Sequence, residues 1–196
     1  MAKLYFRYGA MNCGKSTAVI QVAYNYEEQG MHILLIKPET DTKIANKVVS
    51  RLGTSREVDI LANSQSNLLA EVTAAKEKDS QLSCVLVDEA QFLSQEQISE
   101  LFEVAIKLDL PVICYGLRTD FKAKAFPGSI RLFELAHSLE ELKTICRCGK
   151  KAVLNGRKLN GKFVVSGSQI AIDGEESVSY ESLCGNCYLK FVGSLS

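Results

Sequence analysis

Residues 9–16 read Gly-Ala-Met-Asn-Cys-Gly-Lys-Ser, a complete G-x-x-x-x-G-K-S pattern directly behind the apolar run Leu4-Tyr5-Phe6. A chain that begins this way is committed to a strand, a phosphate cradle and a helix, in that order. Gly9 and Gly14 permit the tight backbone that points successive N–H groups at phosphate oxygens. Lys15 supplies a mobile charge for the outer phosphates, and the Ser16 hydroxyl can ligate the magnesium that bridges them. The helix beginning near Lys15 adds its positive dipole end, and Ala18, Val19, Val22, Ala23 and Tyr26 give it one apolar stripe.

Further along, the apolar runs Ile33–Ile36, Cys84–Val87 and Pro111–Tyr115 read as buried strands. Helical patterns lie between them: Leu68, Leu69, Val72 and Ala75 behind a cap at Ser66, and Ile98, Leu101, Phe102 and Ala105 behind a Ser94/Gln97 capping box. This alternation predicts a parallel sheet with helices on both faces. The polar stretch 37–65 is too long for a structureless loop, so it is expected to be a flap with short strands or a mobile segment near the site. Beyond Leu139 the texture changes to short strands separated by Gly156, Gly161, Gly167 and Gly174. Residues 1–138 are therefore expected to form an α/β phosphate-loop domain, and residues 139–196 a small β-rich one.

Val85-Leu86-Val87-Asp88-Glu89 is a strand ending in two carboxylates. At the carboxyl end of a parallel strand Asp88 can hold magnesium, leaving Glu89 free as a general base toward a hydroxyl or a water. The plainer alternative is an acid pair that caps the next helix. Phe92, Phe121 and Phe126 lie in or beside loops at the same edge, where they could wall a pocket for a flat base or simply pack the core.

Seven cysteines divide into three singletons, Cys13, Cys84 and Cys114, and two tight pairs, Cys146/Cys148 and Cys184/Cys187. The pairs offer four thiolates for a closed structural zinc site, with redox chemistry at the C-x-x-C pair as the rival. Lys plus Arg and Asp plus Glu each number 23. That balance gives no basic footprint for nucleic acid. No stretch approaches the ~20 apolar residues of a membrane span, and a cytoplasmic location is expected.

Five motifs then coincide in order: residues 9–17, Lys-Pro-Glu-Thr-Asp-Thr at 37–42, Asp-Glu-Ala-Gln-Phe at 88–92, Tyr-Gly-Leu-Arg-Thr-Asp-Phe at 115–121 and the run 141–152 around Cys146 and Cys148. Together they resemble the zinc-containing thymidine kinases of bacteria and animal cytosol. The resemblance implies transfer of the ATP γ-phosphate to the 5′-hydroxyl of thymidine or deoxyuridine in nucleotide salvage, with Glu89 as base. It implies a phosphate site of Gly9, Met11, Asn12, Cys13, Gly14, Lys15, Ser16 and Thr17 with Asp88 and Arg157. It places the thymidine among Met11, Phe92, Leu117, Phe121, Phe126, Ile172 and Tyr180, its base held by a lasso-like loop at about 167–180 in the zinc domain. Homotetramers and inhibition by thymidine triphosphate are implied as well.

The chain departs from that pattern at Lys43, where arginine is usual, at His137, where aspartate is commoner, and by about two residues in the loop 172–180. A different class of function stays open beside it: Asp88-Glu89-Ala90-Gln91 also resembles the box of nucleic-acid motors, so a phosphate-loop ATPase with a zinc module on nucleic acid is the alternative. Room for a second motor lobe and a basic track are both missing.

Overall fold

In a computed structural model, residues 1–39, 46–167 and 178–193 are described. The first unit alternates strand and helix: β1 (Leu4–Gly9), α1 (Lys15–Glu28), β2 (His32–Pro38), the short strands β3 (Lys47–Val49), β4 (Ser55–Glu57) and β5 (Ile60–Ala62), then α2 (Leu68–Lys78) and β6 (Leu82–Val87). It continues with a single 3-10 turn at Ala90–Phe92, α3 (Gln95–Lys107), β7 (Val112–Leu117), α4 (Pro127–Leu135) and β8 (Ser138–Leu142). Six strands form one parallel sheet in the order β5-β2-β6-β7-β1-β8.

The pleat sends alternate side chains to opposite faces, and the two cores record it. Val85, Val87, Val112 and Cys114 join Leu68 and Val72 of α2, Ile98 and Leu101 of α3, and Leu132 of α4 on one side. Cys84, Leu86, Ile113 and Tyr115 meet Val19 and Ala23 of α1 on the other. Helices thus cover both faces, as the alternation predicts.

Three local expectations change. The cap of α2 is Asn67, whose side chain accepts from the Ala70 N–H at 2.8 Å, while the Ser66 hydroxyl accepts from the Asn63 N–H instead. An amide and a hydroxyl in adjacent positions compete for one role, and spacing alone does not decide between them. In the polar stretch, β3 and β4 pair as an antiparallel hairpin, but β5 joins the main sheet beside β2. Ser138–Leu142 also joins that sheet, parallel to β1, so residue 139 lies within a strand. Its Glu140 and Glu141 sit on an unpaired edge, which is why the segment reads as polar connection.

The remainder comprises a small antiparallel pair, β9 (Thr144–Ile145) with β10 (Lys151–Ala152), a three-stranded sheet of β11 (Leu154–Leu159), β12 (Lys162–Val164) and β13 (Val178–Leu183), and α5 (Gly185–Phe191). Gly156 is not a turn residue but lies inside β11. A Cβ there would come within 2.6 Å of the Phe163 ring and 2.8 Å of Leu183. Gly174 and Lys43 lie outside the described residues.

The Ser94/Gln97 capping box forms as expected, with Ser94 Oγ accepting from the Gln97 N–H at 3.2 Å and Gln97 Oε1 from the Ser94 N–H at 3.1 Å. Ser94→Ala should therefore lower unfolding free energy by about 1 kcal/mol, read as a shifted urea midpoint with unchanged slope.

Candidate active site

The carboxyl ends of β1, β6 and β7 converge on one crevice. Leaving β1, Gly9 is pressed so close that a Cβ would lie 2.5 Å from Cys13 Sγ and 2.6 Å from the Leu142 carbonyl oxygen, and Gly14 turns into α1 at φ 86°. Asn12 is also left-handed, at φ 62°. No side chain caps α1 and no acid occupies its first turn, so its leading N–H groups are kept for an anion. Lys15 folds back over the loop, its ammonium 3.2 Å from the Ala10 carbonyl and only 8% exposed.

Asp88, at the end of β6, is 3% exposed. Its Oδ2 accepts a long 3.5 Å hydrogen bond from Ser16, and its Oδ1 has no partner. Burial first, and the charge of Glu89 second, push its acid constant up to about 7, against the pull of Lys15 and Lys37. A buried carboxylate with an orphaned oxygen beside a serine hydroxyl and two buried lysines is a site short of a cation, and the hard oxygen donors suit magnesium. Lys37, on the last turn of β2, donates to the Lys47 carbonyl at 3.1 Å and so ties the hairpin β3–β4 to this corner.

The chain reverses immediately after Asp88. Glu89 is left-handed, at φ 51°, an uncommon state for a non-glycine residue. Its carboxylate accepts from Gln91 Nε2 at 2.6 Å, and the Oε1 of the same amide accepts from the Leu117 N–H at 3.0 Å. Gln91, 1% exposed, thus bridges the carboxylate to the end of β7. Its place in the motif 88–92 was visible, but a glutamine carries no sequence signal of a bridge.

Among the expected pocket residues, Phe92 and Phe126 meet edge to face at 5.4 Å. They border a cleft of about 660 Å³ that also takes in Pro38, Glu39 and Asn63. Leu117 adjoins them through Gln91. Phe121 is 1% exposed, its ring covered by the Arg157 guanidinium at 5.1 Å and its carbonyl accepting from the Tyr188 hydroxyl at 2.7 Å. Arg157 pairs across the sheet with Tyr180. Ile172 lies outside the described residues. Two residues absent from the expectation, Asn155 and Ser182, hold the backbone of Met11 from the same sheet: Asn155 Oδ1 accepts the Met11 N–H at 2.7 Å, and the Ser182 hydroxyl donates to the Met11 carbonyl. His137 accepts the Leu4 N–H through Nδ1 at 3.1 Å and stacks on Phe102, a structural place far from this chemistry.

Cys146, Cys148, Cys184 and Cys187 bring their sulfurs within 4.8 Å of one another. A tetrahedral zinc with bonds of about 2.3 Å sets sulfurs roughly 3.8 Å apart, so the donor set and spacing fit that ion. Cys146, Cys184 and Cys187 pack with Leu183 and Tyr188 in a small core of their own, and Cys148 is exposed.

The thymidine kinase family model matches residues 2–188. Thymidine kinases from Shewanella oneidensis (47% identical over 98% of this chain and 99% of theirs), Yersinia pestis (48%, 98% and 97%) and Legionella pneumophila (47%, 94% and 88%) are similar throughout. A solved Candida albicans Pif1 helicase superposes on 74% of this chain and 37% of its own with a TM-score of 0.42 at 14% identity, too loosely to carry any argument.

The raised Asp88 acid constant fixes a pH dependence. An unfolded aspartate titrates near ~3.9, so burial of Asp88 costs nothing below about pH 4, and the cost grows until the group is fully charged above about 7. Without nucleotide or magnesium, the protein should lose thermal stability across that window, and Asp88→Asn should flatten the slope and melt higher than wild type at pH 8. Melting curves from pH 5 to 8 check this.

Proposed function

The chain belongs to the thymidine kinase family, and from that premise we propose how its own residues carry out the transfer of the ATP γ-phosphate to thymidine, yielding the monophosphate for nucleotide salvage. The loop 9–17 cradles the phosphates through its N–H groups, and Lys15 follows the charge that develops on the leaving β-phosphate. Ser16 and Asp88 are the residues that would hold magnesium, which when bound neutralises the β- and γ-phosphates. Glu89 accepts the proton of the 5′-hydroxyl as its oxygen attacks the γ-phosphorus and ADP departs. Gln91 keeps that carboxylate turned toward the crevice. The observation that carries this reading is buried Asp88, with one oxygen on the Ser16 hydroxyl and the other orphaned, and the strained Glu89 as the very next residue.

For the acceptor, Phe92, Phe126, Leu117 and Met11 supply apolar walls, with Phe121, Tyr180 and Ile172 assigned by family likeness. Deoxyuridine, which lacks only a methyl group, is expected to be accepted. Arg157 lies on the same face of the C-terminal sheet as Asn155, a position that supports its approach to the phosphates. Thymidine triphosphate carries both the base for this pocket and the phosphates for the loop, which supports its role as end-product inhibitor. Homotetramers are supported by the unpaired edge of β8, where Leu139 is exposed. The four-thiol cluster is assigned structural zinc, and such a site suits the reducing cytoplasm. Among the described residues no helix is long and apolar enough to cross a membrane. The nucleic-acid motor is not favoured, given the balanced charge and the family.

ADP release measured with thymidine, deoxyuridine, deoxycytidine, deoxyguanosine and single-stranded DNA should be stimulated by the first two alone. Glu89→Gln should keep ATP binding and lose about a hundredfold or more in kcat; unchanged turnover would remove Glu89 from its role. Cys187→Ser should lose its zinc and melt at lower temperature, read by metal analysis of the purified protein and a thermal scan.

A further inference from the structure

Met11 sits in the variable stretch of the phosphate loop, and both polar atoms of its backbone are taken by side chains from the C-terminal sheet. Its N–H goes to Asn155 Oδ1 at 2.7 Å and its carbonyl to the Ser182 hydroxyl. Asn155 on β11 and Ser182 on β13 are direct cross-strand partners. They are 2% and 6% exposed. The amide nitrogen of Asn155 reaches on to the Thr119 carbonyl at 2.9 Å, which fixes its orientation and leaves Oδ1 to the loop.

Directly after Met11, Asn12 stands at φ 62°. A non-glycine residue in that region persists when its surroundings over-determine it. The side-chain cap and acidic first turn that commonly steady a helix start are both missing from α1; within the loop Lys15 holds the Ala10 carbonyl, and Thr144 reaches the Asn12 carbonyl only at 3.5 Å. The cross-strand pair grips both polar atoms of the Met11 peptide itself. We infer that Asn155 and Ser182 act together as a clamp on the Met11 peptide and are positioning residues for nucleotide binding: they hold the loop in the shape that turns the N–H groups of 12–16 toward phosphate. The inference rests on the reading of residues 9–17 as the nucleotide site, and it makes ATP affinity a property of the C-terminal sheet, more than a hundred residues away in the chain.

The test is equilibrium binding of a fluorescent ATP analogue with magnesium and no acceptor present. Ser182→Ala weakens binding about fivefold or more, the effect of one buried hydrogen bond, while it keeps its zinc and melts only about 2–4 °C below wild type. Ser182→Thr, which keeps a hydroxyl, binds like wild type. Asn155→Ala weakens binding as well, and the double variant loses less than the product of the two single losses, because either bond's removal releases the same peptide. Unchanged affinity in zinc-replete Ser182→Ala overturns the clamp, as does an equal loss in Ser182→Thr or full additivity in the double variant. Should Ser182→Ala fail to fold, Asn155→Ala decides alone. Wild-type protein that binds the analogue but ignores thymidine would count against the acceptor, not against the clamp.

Discussion

Asp88 is a carboxylate buried with one oxygen left unpartnered and its charge opposed by burial, and the rest of the nucleotide corner is arranged around it. Desolvation and the neighbouring Glu89 oppose the charge on Asp88; Lys15 and Lys37 favour it without satisfying its free oxygen. Each of these groups is delivered by a different element: Asp88 by β6, Lys15 by the start of α1, and Lys37 by the end of β2. The parallel sheet is what makes this possible, since all its strands end at the same edge. A destabilised apo site is the natural counterpart of a site whose charge is completed by its ligands.

The frame of the fold was legible because it is written in local patterns. The G-x-x-x-x-G-K-S spacing, the Ser94/Gln97 box and the two cysteine pairs each need only a dozen residues or fewer to be seen. The continuous apolar run Cys84–Val87 predicts a strand buried on both faces but not its place in the sheet. Less visible were features that depend on partners distant in sequence. The Met11 clamp joins residues separated by 144 and 171 positions, and nothing periodic marks an asparagine or a serine as its members. Gly156 looks like any turn glycine until Phe163 and Leu183 are packed over it. Polar Ser138–Leu142 hides its strand character because an edge needs no apolar face.

Within the site, the motif at 88–92 identified the acid pair and concealed a third member. Gln91 connects Glu89 to the end of β7 through the two ends of one amide, so the carboxylate proposed as the base is held by the strand that carries Leu117. Glu89, Gln91 and Leu117 thus form one hydrogen-bonded path between the ends of β6 and β7.

The C-terminal sheet has one further consequence. Strands β12 and β13 lie on opposite sides of β11 and pair with it antiparallel. Strand register is held by β11 and by the packing of Phe163 and Leu183 against Gly156, so the sheet itself fixes where Asn155 and Ser182 stand. The small sheet is therefore a fixed frame: Asn155 and Ser182, paired across β11 and β13, reach the Met11 peptide from strands whose places are set by one another.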